Sequence, residues 1–251
     1  MTHATRPAAA LLFILIVGWI GAAQSIETAA DLLGRMEENT HGIEDLDAIL
    51  TIESYADGEV DSTQRLRLSL LQPDRMRQEY LAPEYLAGNL TLIVAERMWI
   101  YIAAAETWYE KDLSELSSAE QPWLAFRRFL RDVDDELDDY AFEWIDDGSE
   151  HYHLVGLPIE EDATYGRIEL WIDPEAYVPT RRLLYDVDGN LLVEVRISEI
   201  ERVADSTFLA RTMETYDEEG ELASVIHYDE LAVNASLDPS LFDPPAEGAD
   251  E

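Results

Sequence analysis

The chain has 251 residues and no cysteine, and its 54 acidic and 17 basic side chains give a formal net charge of −37. A surface this negative repels phosphate polymers and anionic membranes, which argues against nucleic-acid binding as a function. The lack of cysteine excludes disulfides and an acylated thiol. We interpret the charge as adaptation to high salt, in which dissolved ions screen the repulsion between carboxylates. The alternative is an acidic face that meets a basic partner.

The N-terminal segment has the pattern of a secretory signal. A single charge, Arg6, precedes an apolar run from Ala8 to Ala23, and small residues fit cleavage after Ala23 or Ser25. The run is shorter than the about 20 residues that a membrane span needs. We therefore expect export across the inner membrane into the periplasm. The predicted organisation is a signal peptide over residues 1–25, one domain over residues 26–243 and a flexible acidic tail over residues 244–251.

Two amphipathic helices are predicted. The first covers residues 26–40, because apolar residues recur at a spacing of three and four, Thr28 and Asp31 fit its start, and Gly42 lies just past its end. The second covers residues 117–131, in the middle of the chain, and we expect it to act as a lid. Its apolar stripe consists of Trp123, Phe126, Phe129 and Leu130.

The rest of the chain alternates apolar and polar residues with the period of a strand. Leu46 to Leu71 shows this alternation on both sides of an Asp57-Gly58 turn, and similar turns separate the later strands. These meander connections predict an antiparallel sheet of about 10 to 11 strands, and a sheet that wide curls. The predicted fold class is mainly β with a helical lid (α+β): a strongly curved sheet or incomplete β-barrel whose concave apolar face is covered by both helices.

Residues 73–109 contain more large apolar side chains than a sheet facing water would carry. The surplus indicates either an ordinary core or a cavity for an apolar ligand, because lipid sites have large apolar walls and few polar groups. We predict that seven residues line such a ligand-binding cavity. They are Met76, Tyr80, Leu92, Trp99, Tyr101, Trp144 and Leu170.

Patterns that would indicate an enzyme or a metal site are weak. His151, His153 and His227 lie in predicted strands, where a polar strand face explains them better than a metal site. Asp186–Asn190 resembles part of a calcium loop, but its spacing fails the EF-hand pattern and suits a hairpin turn. Nucleophile-elbow and phosphate-loop motifs are absent from the sequence. We therefore expect no catalytic residue, no metal and no cofactor.

Four segments carry a family resemblance: LLQPDRMRQEYLAPE, MWIYI, LWIDPEAYVPTRRLLYDVDGN and LDPSLFDPP. Together with the predicted signal, the two helices and the meander, they resemble the outer-membrane lipoprotein carrier family of the LolA and LolB type. The resemblance implies a half-barrel whose apolar cavity shields acyl chains in the periplasm, without a cofactor. It also implies an arginine beneath the lid that helps to hold the closed form. The candidates are Arg65, Arg67, Arg75 and Arg77.

Three functions remain open at this point. The resemblance favours a soluble, monomeric carrier whose partners are an acylated lipoprotein or lipid, an inner-membrane transporter and an outer-membrane acceptor. The alternative is an envelope sensor or interaction module of the same fold, which binds a protein partner. A hydrolase is the least supported, because no catalytic constellation is visible in the sequence.

Overall fold

The computed structural model describes residues 28–115, 137–160, 163–204 and 207–245. They form one helix, α1 (Ala29–His41), three short 3₁₀ turns and a single antiparallel sheet. The thirteen strands are β1 (Asp45–Ala56), β2 (Glu59–Leu71), β3 (Arg75–Ala82), β4 (Leu90–Val94), β5 (Arg97–Ile102), β6 (Thr107–Asp112), β7 (Tyr140–Ile145), β8 (Tyr152–Pro158), β9 (Arg167–Ile172), β10 (Pro179–Tyr185), β11 (Leu191–Arg202), β12 (Phe208–Tyr216) and β13 (Leu222–Val233).

The predicted class is confirmed as a mainly β fold with an open antiparallel sheet and one helix, but the strand count of 10 to 11 is too low. β6 is an example of a strand without a local signal, because the turn that leads into it has no glycine, proline or asparagine. A 3₁₀ turn over Ala103–Ala105 is followed by Glu106, which takes the left-handed conformation at φ 52°. A glutamate gives no sign of such a conformation in the sequence.

Local signals in the sequence explain the first elements. Thr28 caps α1 by accepting a hydrogen bond from the Asp31 backbone N–H, while the Asp31 carboxylate accepts one from the Thr28 backbone N–H. β1 and β2 form a hairpin through Asp57 and Gly58, which both have positive φ, as a type I′ turn requires. The predicted first helix and first hairpin are thus confirmed.

The strand order places the first and the last strand, β1 and β13, side by side at the centre of the sheet. The order is β6-β5-β4-β3-β2-β1-β13-β12-β11-β10-β9-β8-β7, and every neighbouring pair is antiparallel. The chain starts at β1 in the centre, meanders out to β6, and returns from β7 to β13 beside β1. The sheet is therefore open, with β6 and β7 as its opposite edges although they are consecutive in the chain.

The cross-strand register divides the side chains between two faces of the sheet. We call the face on which α1 packs the inner face and the opposite one the outer face. Cluster 1 lies on the inner face of β1 to β5 and includes Leu46, Leu50, Leu68, Met76 and Ile93. Cluster 2 lies on the same face of β7 to β10, under α1, and includes Leu32, Met36, Leu154, Ile168 and Leu170.

The outer face has its own apolar cluster, beneath the end of the chain. Cluster 3 consists of Leu90, Leu92, Trp99 and Phe242, and Leu237 packs beside it. Phe242 belongs to the last 3₁₀ turn, Pro239–Phe242, and is only 2 % exposed. We call residues 234–245 the C-terminal segment. It covers part of the outer face of β3 to β5, so that β4 is buried on both faces.

Three predictions fall outside the described residues. They are the signal peptide over residues 1–25, the helix over residues 117–131 and most of the tail over residues 244–251. Within the part of the chain that is described, no helix is both long and apolar enough to cross a membrane.

Gly156 is required by a close approach on the inner face. It lies directly opposite Phe142, and a Cβ atom at Gly156 would come within 2.5 Å of the Phe142 ring. We expect Gly156→Ala to lower the free energy of unfolding by about 1 to 3 kcal/mol, because the ring must move. Gly34→Ala in α1 is the matched control, because its Cβ meets nothing within 4 Å, and it should stabilise the protein by about 1 kcal/mol. Urea unfolding measures the free energy of unfolding of both variants. An unchanged value for Gly156→Ala would contradict the packing described.

Candidate functional site

The inner face carries an almost continuous apolar surface across the centre of the sheet. One cross-strand row joins Tyr80, Leu66, Leu50 and Tyr228 on β3, β2, β1 and β13. The next row joins Ile52, Ile226, Met213 and Ile197 on β1, β13, β12 and β11. The second row is only partly buried, so its apolar side chains keep some accessible surface.

The one described helix covers only one part of this surface. Leu32 and Met36 of α1 pack into cluster 2, and no α1 residue takes part in cluster 1 among the described residues. The end of α1 is fixed to the start of β12, because the Asn39 side chain donates to the Phe208 carbonyl at 2.8 Å and accepts from its N–H at 2.7 Å. The helix thus packs over β7 to β10 through Leu32 and Met36, and its C-terminal end is hydrogen-bonded to β12.

The chain on both sides of residues 116–136 returns to the inner face. Leu113, just after β6, belongs to cluster 1, and Leu137, just before β7, belongs to cluster 2. Both leucines are buried. The residue after edge strand β6 and a residue before edge strand β7 thus both pack on the inner face.

The seven predicted cavity residues do not share one face, so the expectation of a single surface is wrong. Met76 and Tyr80 lie on the inner face with cluster 1, and Leu170 lies there in cluster 2. Trp144 is paired with Leu154 on the same face, is 39 % exposed and meets the Tyr152 ring edge-on. The other three lie on the outer face with cluster 3. They are Leu92, Trp99 and Tyr101.

The register of β3 to β5 explains this division. Met76 pairs with Ile93, whereas the neighbouring Arg77 pairs with Leu92, so Ile93 and Leu92 point to opposite faces. Trp99 pairs with Leu92 and therefore follows it to the outer face. The sequence shows that β4 is apolar on both faces, but it gives no sign that the C-terminal segment covers one of them.

The four candidates for the arginine that holds the lid closed all lie on the outer face. Arg65 and Arg67 are directly opposite Thr51 and Ile49, whose neighbours on β1 point inward, and Arg77 donates to the Leu241 carbonyl of the C-terminal segment. Arg75 follows the same alternation on β3. They are therefore on the wrong face to lie beneath a lid that packs on the inner face.

Arg182 is an inner-face arginine that the sequence analysis missed. It lies on β10 directly between Leu170 of β9 and Val195 of β11, and its Nε atom is buried. Two consecutive arginines, 181 and 182, necessarily point to opposite faces of a strand, so the pair itself indicates one inward arginine.

The inner face also contains two tyrosines, of which Tyr228 is buried and Tyr80 is partly buried. Tyr228 lies opposite Leu50 in cluster 1, and its burial raises the pKa of its hydroxyl far above the ordinary value. Burial likewise raises the pKa of Tyr80, against a hydrogen bond with Gln78 that lowers it. Both hydroxyls are thus neutral at any physiological pH. The two hydroxyls therefore add no charge to the mostly apolar inner face, which suits hydrocarbon.

The outer face of β9 to β12 is charged and internally paired. Glu194 accepts hydrogen bonds from Nε of Arg181 and Nε of Arg196, each at 2.8 Å. Arg181 also lies over the Trp171 ring and Arg196 over the Tyr216 ring. The hydrogen bond from Arg196 is the largest cause that lowers the pKa of Glu194. Such a charged surface is unsuitable for binding an acyl chain.

The histidines do not assemble into a site. His153 has Asp147 Oδ2 3.0 Å from Nδ1 and Glu169 Oε2 3.2 Å from Nε2, and its ring stacks on Trp171 at 4.2 Å. His227 instead contacts the Thr212 hydroxyl at 3.2 Å. In the described ranges no group of three His, Cys, Asp or Glu residues could hold a metal ion. Asp186–Asn190 forms the β10 to β11 turn, in which the Asp186 carboxylate accepts from the Asn190 N–H.

The sequence was compared with protein-family models and with curated proteins. A family model described as "uncharacterized protein" matches residues 73–246, which is more than half of the chain. No curated protein matches the chain.

Several solved structures share the fold at low sequence identity. A DUF1329 family protein from Desulfovibrio piger has a TM-score of 0.64 at 19 % identity, with 85 % of this chain and 95 % of that chain covered. A protein domain assigned to outer membrane lipoprotein sorting, from Vibrio parahaemolyticus, has a TM-score of 0.62 at 17 % identity, with the same coverage of 85 % and 95 %. A LolA superfamily protein from Nitrosomonas europaea has a TM-score of 0.60 at 18 % identity, with 87 % and 99 % covered. The chain therefore belongs to the family whose model matches residues 73–246, and it shares its fold with these three solved structures.

Proposed function

We propose that the chain is a periplasmic carrier that shields the acyl chains of lipoproteins or lipids on the inner face during transfer to the outer membrane. The observation that carries the proposal is the apolar inner face, which α1 covers on one side only. Among the described residues no α-helix other than α1 packs on this face, and exposed apolar surface is unfavourable in water. The similarity of the fold to lipoprotein-sorting structures supports the same reading.

The size of the surface suits a single extended acyl chain. Partly buried apolar side chains run from Tyr80 on β3 through Ile52 and Ile226 to Met213 and Ile197. With neighbouring strands about 4.8 Å apart, the six strands from β3 to β11 span about 24 Å. Each CH₂ group buried there contributes about 0.8 kcal/mol, so affinity should rise with chain length.

The lid over residues 117–131 stays a prediction. It is supported by the placement of Leu113 and Leu137, which bring both flanking parts of the chain onto the inner face. If the lid covers cluster 1, Arg182 lies on the correct face to contact it, whereas the four arginines named from the resemblance do not. No catalytic step, metal or cofactor belongs to the proposal, and the transporter and the acceptor are its expected partners.

A pair of peptides tests the proposed function. An N-palmitoylated peptide should bind with a Kd in the micromolar range or below in isothermal titration calorimetry, and the same peptide without the acyl chain should bind at least about 100-fold more weakly, since the acyl chain supplies most of the apolar area. Equal affinity for the two peptides would favour the sensor or interaction module, because recognition would then rest on the peptide. Failure to bind either peptide would contradict the carrier function.

A further inference from the structure

Gln78 is a polar residue at a core position of the inner face. It lies in the middle of β3 and is 2 % exposed. Leu68 and Thr91 lie directly opposite it on the two neighbouring strands, and Met76 and Tyr80 flank it along β3 on the same face. Four of the surrounding positions thus point to the same face, and cluster 1 packs around them.

One atom of this side chain is not satisfied within the described structure. The Gln78 Oε1 atom is buried, and no described residue donates a hydrogen bond to it. An unsatisfied buried acceptor costs about 1 to 3 kcal/mol, whereas a methionine of nearly the same shape would cost nothing of this kind. The protein therefore keeps a group here that its own described fold does not use.

A neighbouring polar group, the Tyr80 hydroxyl, is hydrogen-bonded to the Gln78 side chain. The Oε1 atom of the same side chain is buried without a partner. Thr91, across the strand pair, is 3 % exposed and makes the same small region polar. Oε1 is thus a buried acceptor inside an otherwise apolar wall.

We propose that Gln78 Oε1 accepts a hydrogen bond from an N–H or O–H group next to the acyl chain of the ligand. The site would then select long-chain compounds that carry a donor, such as fatty amides and fatty alcohols, over esters of the same chain length, because an ester leaves the buried acceptor unpaired. The inference rests on the proposed function, since it names the polar end of the ligand held by the same inner face.

Three ligands with one chain length test the selectivity. Oleamide supplies an N–H donor, oleyl alcohol an O–H donor, and methyl oleate no donor, and each is measured by displacement of a fluorescent fatty-acid probe. The wild-type protein should bind oleamide and oleyl alcohol about tenfold more tightly than methyl oleate. Preference for only one of the two donors identifies whether the natural ligand is an amide or an alcohol and supports the proposal.

Variants of the full chain assign the preference to this side chain. Gln78→Met should reduce the preference to within about twofold, because the acceptor that distinguishes the three ligands is gone, and for the same reason it should raise the melting temperature. Gln78→Leu serves the same purpose if the methionine variant does not fold. Leu68→Met, directly opposite on β2, is the matched control and should keep the preference, since it removes no polar atom.

The outcomes separate the two claims. Equal wild-type affinity for all three ligands, or a preference that survives in Gln78→Met, would overturn the role of Gln78 and leave the carrier function standing. If none of the three ligands displaces the probe while the probe itself binds, the donor selectivity is also overturned. A wild-type protein that binds neither probe nor ligands would contradict the proposed function itself.

Discussion

Asp45→Ala should lower the free energy of unfolding by about 3 kcal/mol, because it removes one carboxylate that accepts three backbone hydrogen bonds. Asp45 is 4 % exposed and lies at the start of β1. Its oxygens accept from the N–H groups of Ala235 at 2.7 Å, Ser236 at 2.9 Å and Leu237 at 3.3 Å. With alanine at this position, the three N–H groups lose their acceptor together.

The loss should also release the C-terminal segment from the outer face. Asn234 adds to the same junction, since its side chain accepts from the Glu44 N–H at 2.7 Å and donates to the Gly42 carbonyl at 2.9 Å. The residues after this junction carry Phe242 into cluster 3. In Asp45→Ala we therefore expect faster proteolysis near the C-terminus together with the lower unfolding free energy.

Asp238→Ala is the matched control for this prediction. Asp238 is an exposed aspartate of the same segment and accepts from one backbone N–H, that of Ser240, at 2.9 Å. Its removal should cost about 1 kcal/mol, the usual effect of losing a cap. Urea unfolding of both variants measures the difference. Equal destabilisation of the two proteins would contradict the role given to the buried carboxylate.

Elements with strong local signals could be predicted from the sequence. The cap at Thr28 and Asp31 located α1, and the Asp57-Gly58 turn located the first hairpin, because both signals act over a few residues. The alternation of apolar and polar residues identified most strands for the same reason. The turn before β6 gave no such signal, since it depends on Glu106 in an unusual conformation.

The candidate site was harder to predict, because alternation separates two faces without saying what covers each one. In β4 both faces are apolar, and only the register to β3 and β5 shows that Leu92 and Trp99 lie on the outer face. The cover on that face is Phe242, about 140 residues away in the chain, and such long-range packing leaves no local trace. The alternation of β3 places Gln78 on the face of Met76 and Tyr80, but it gives no sign that the Gln78 Oε1 atom is buried without a donor.

The measurement that tests the account most directly compares the two faces with one substitution each. Tyr80 on β3 points to the inner face, and Tyr101 on β5 points to the outer face, where its ring contacts Trp108 at 5.1 Å. Both tyrosines are partly buried, so replacement of either by aspartate disturbs packing to a comparable extent. Melting temperatures of the two variants will test whether both remain folded.

Binding of a fluorescent fatty-acid probe then distinguishes the faces. We expect Tyr80→Asp to weaken binding about tenfold or more, because a carboxylate on the acyl-binding wall must lose its hydration when the chain binds. Tyr101→Asp should leave the Kd within about twofold of the wild-type value, because its side chain lies on the opposite side of the sheet. Equal loss of affinity in the two variants, or a loss confined to Tyr101→Asp, would contradict the proposal that the inner face carries the acyl chain.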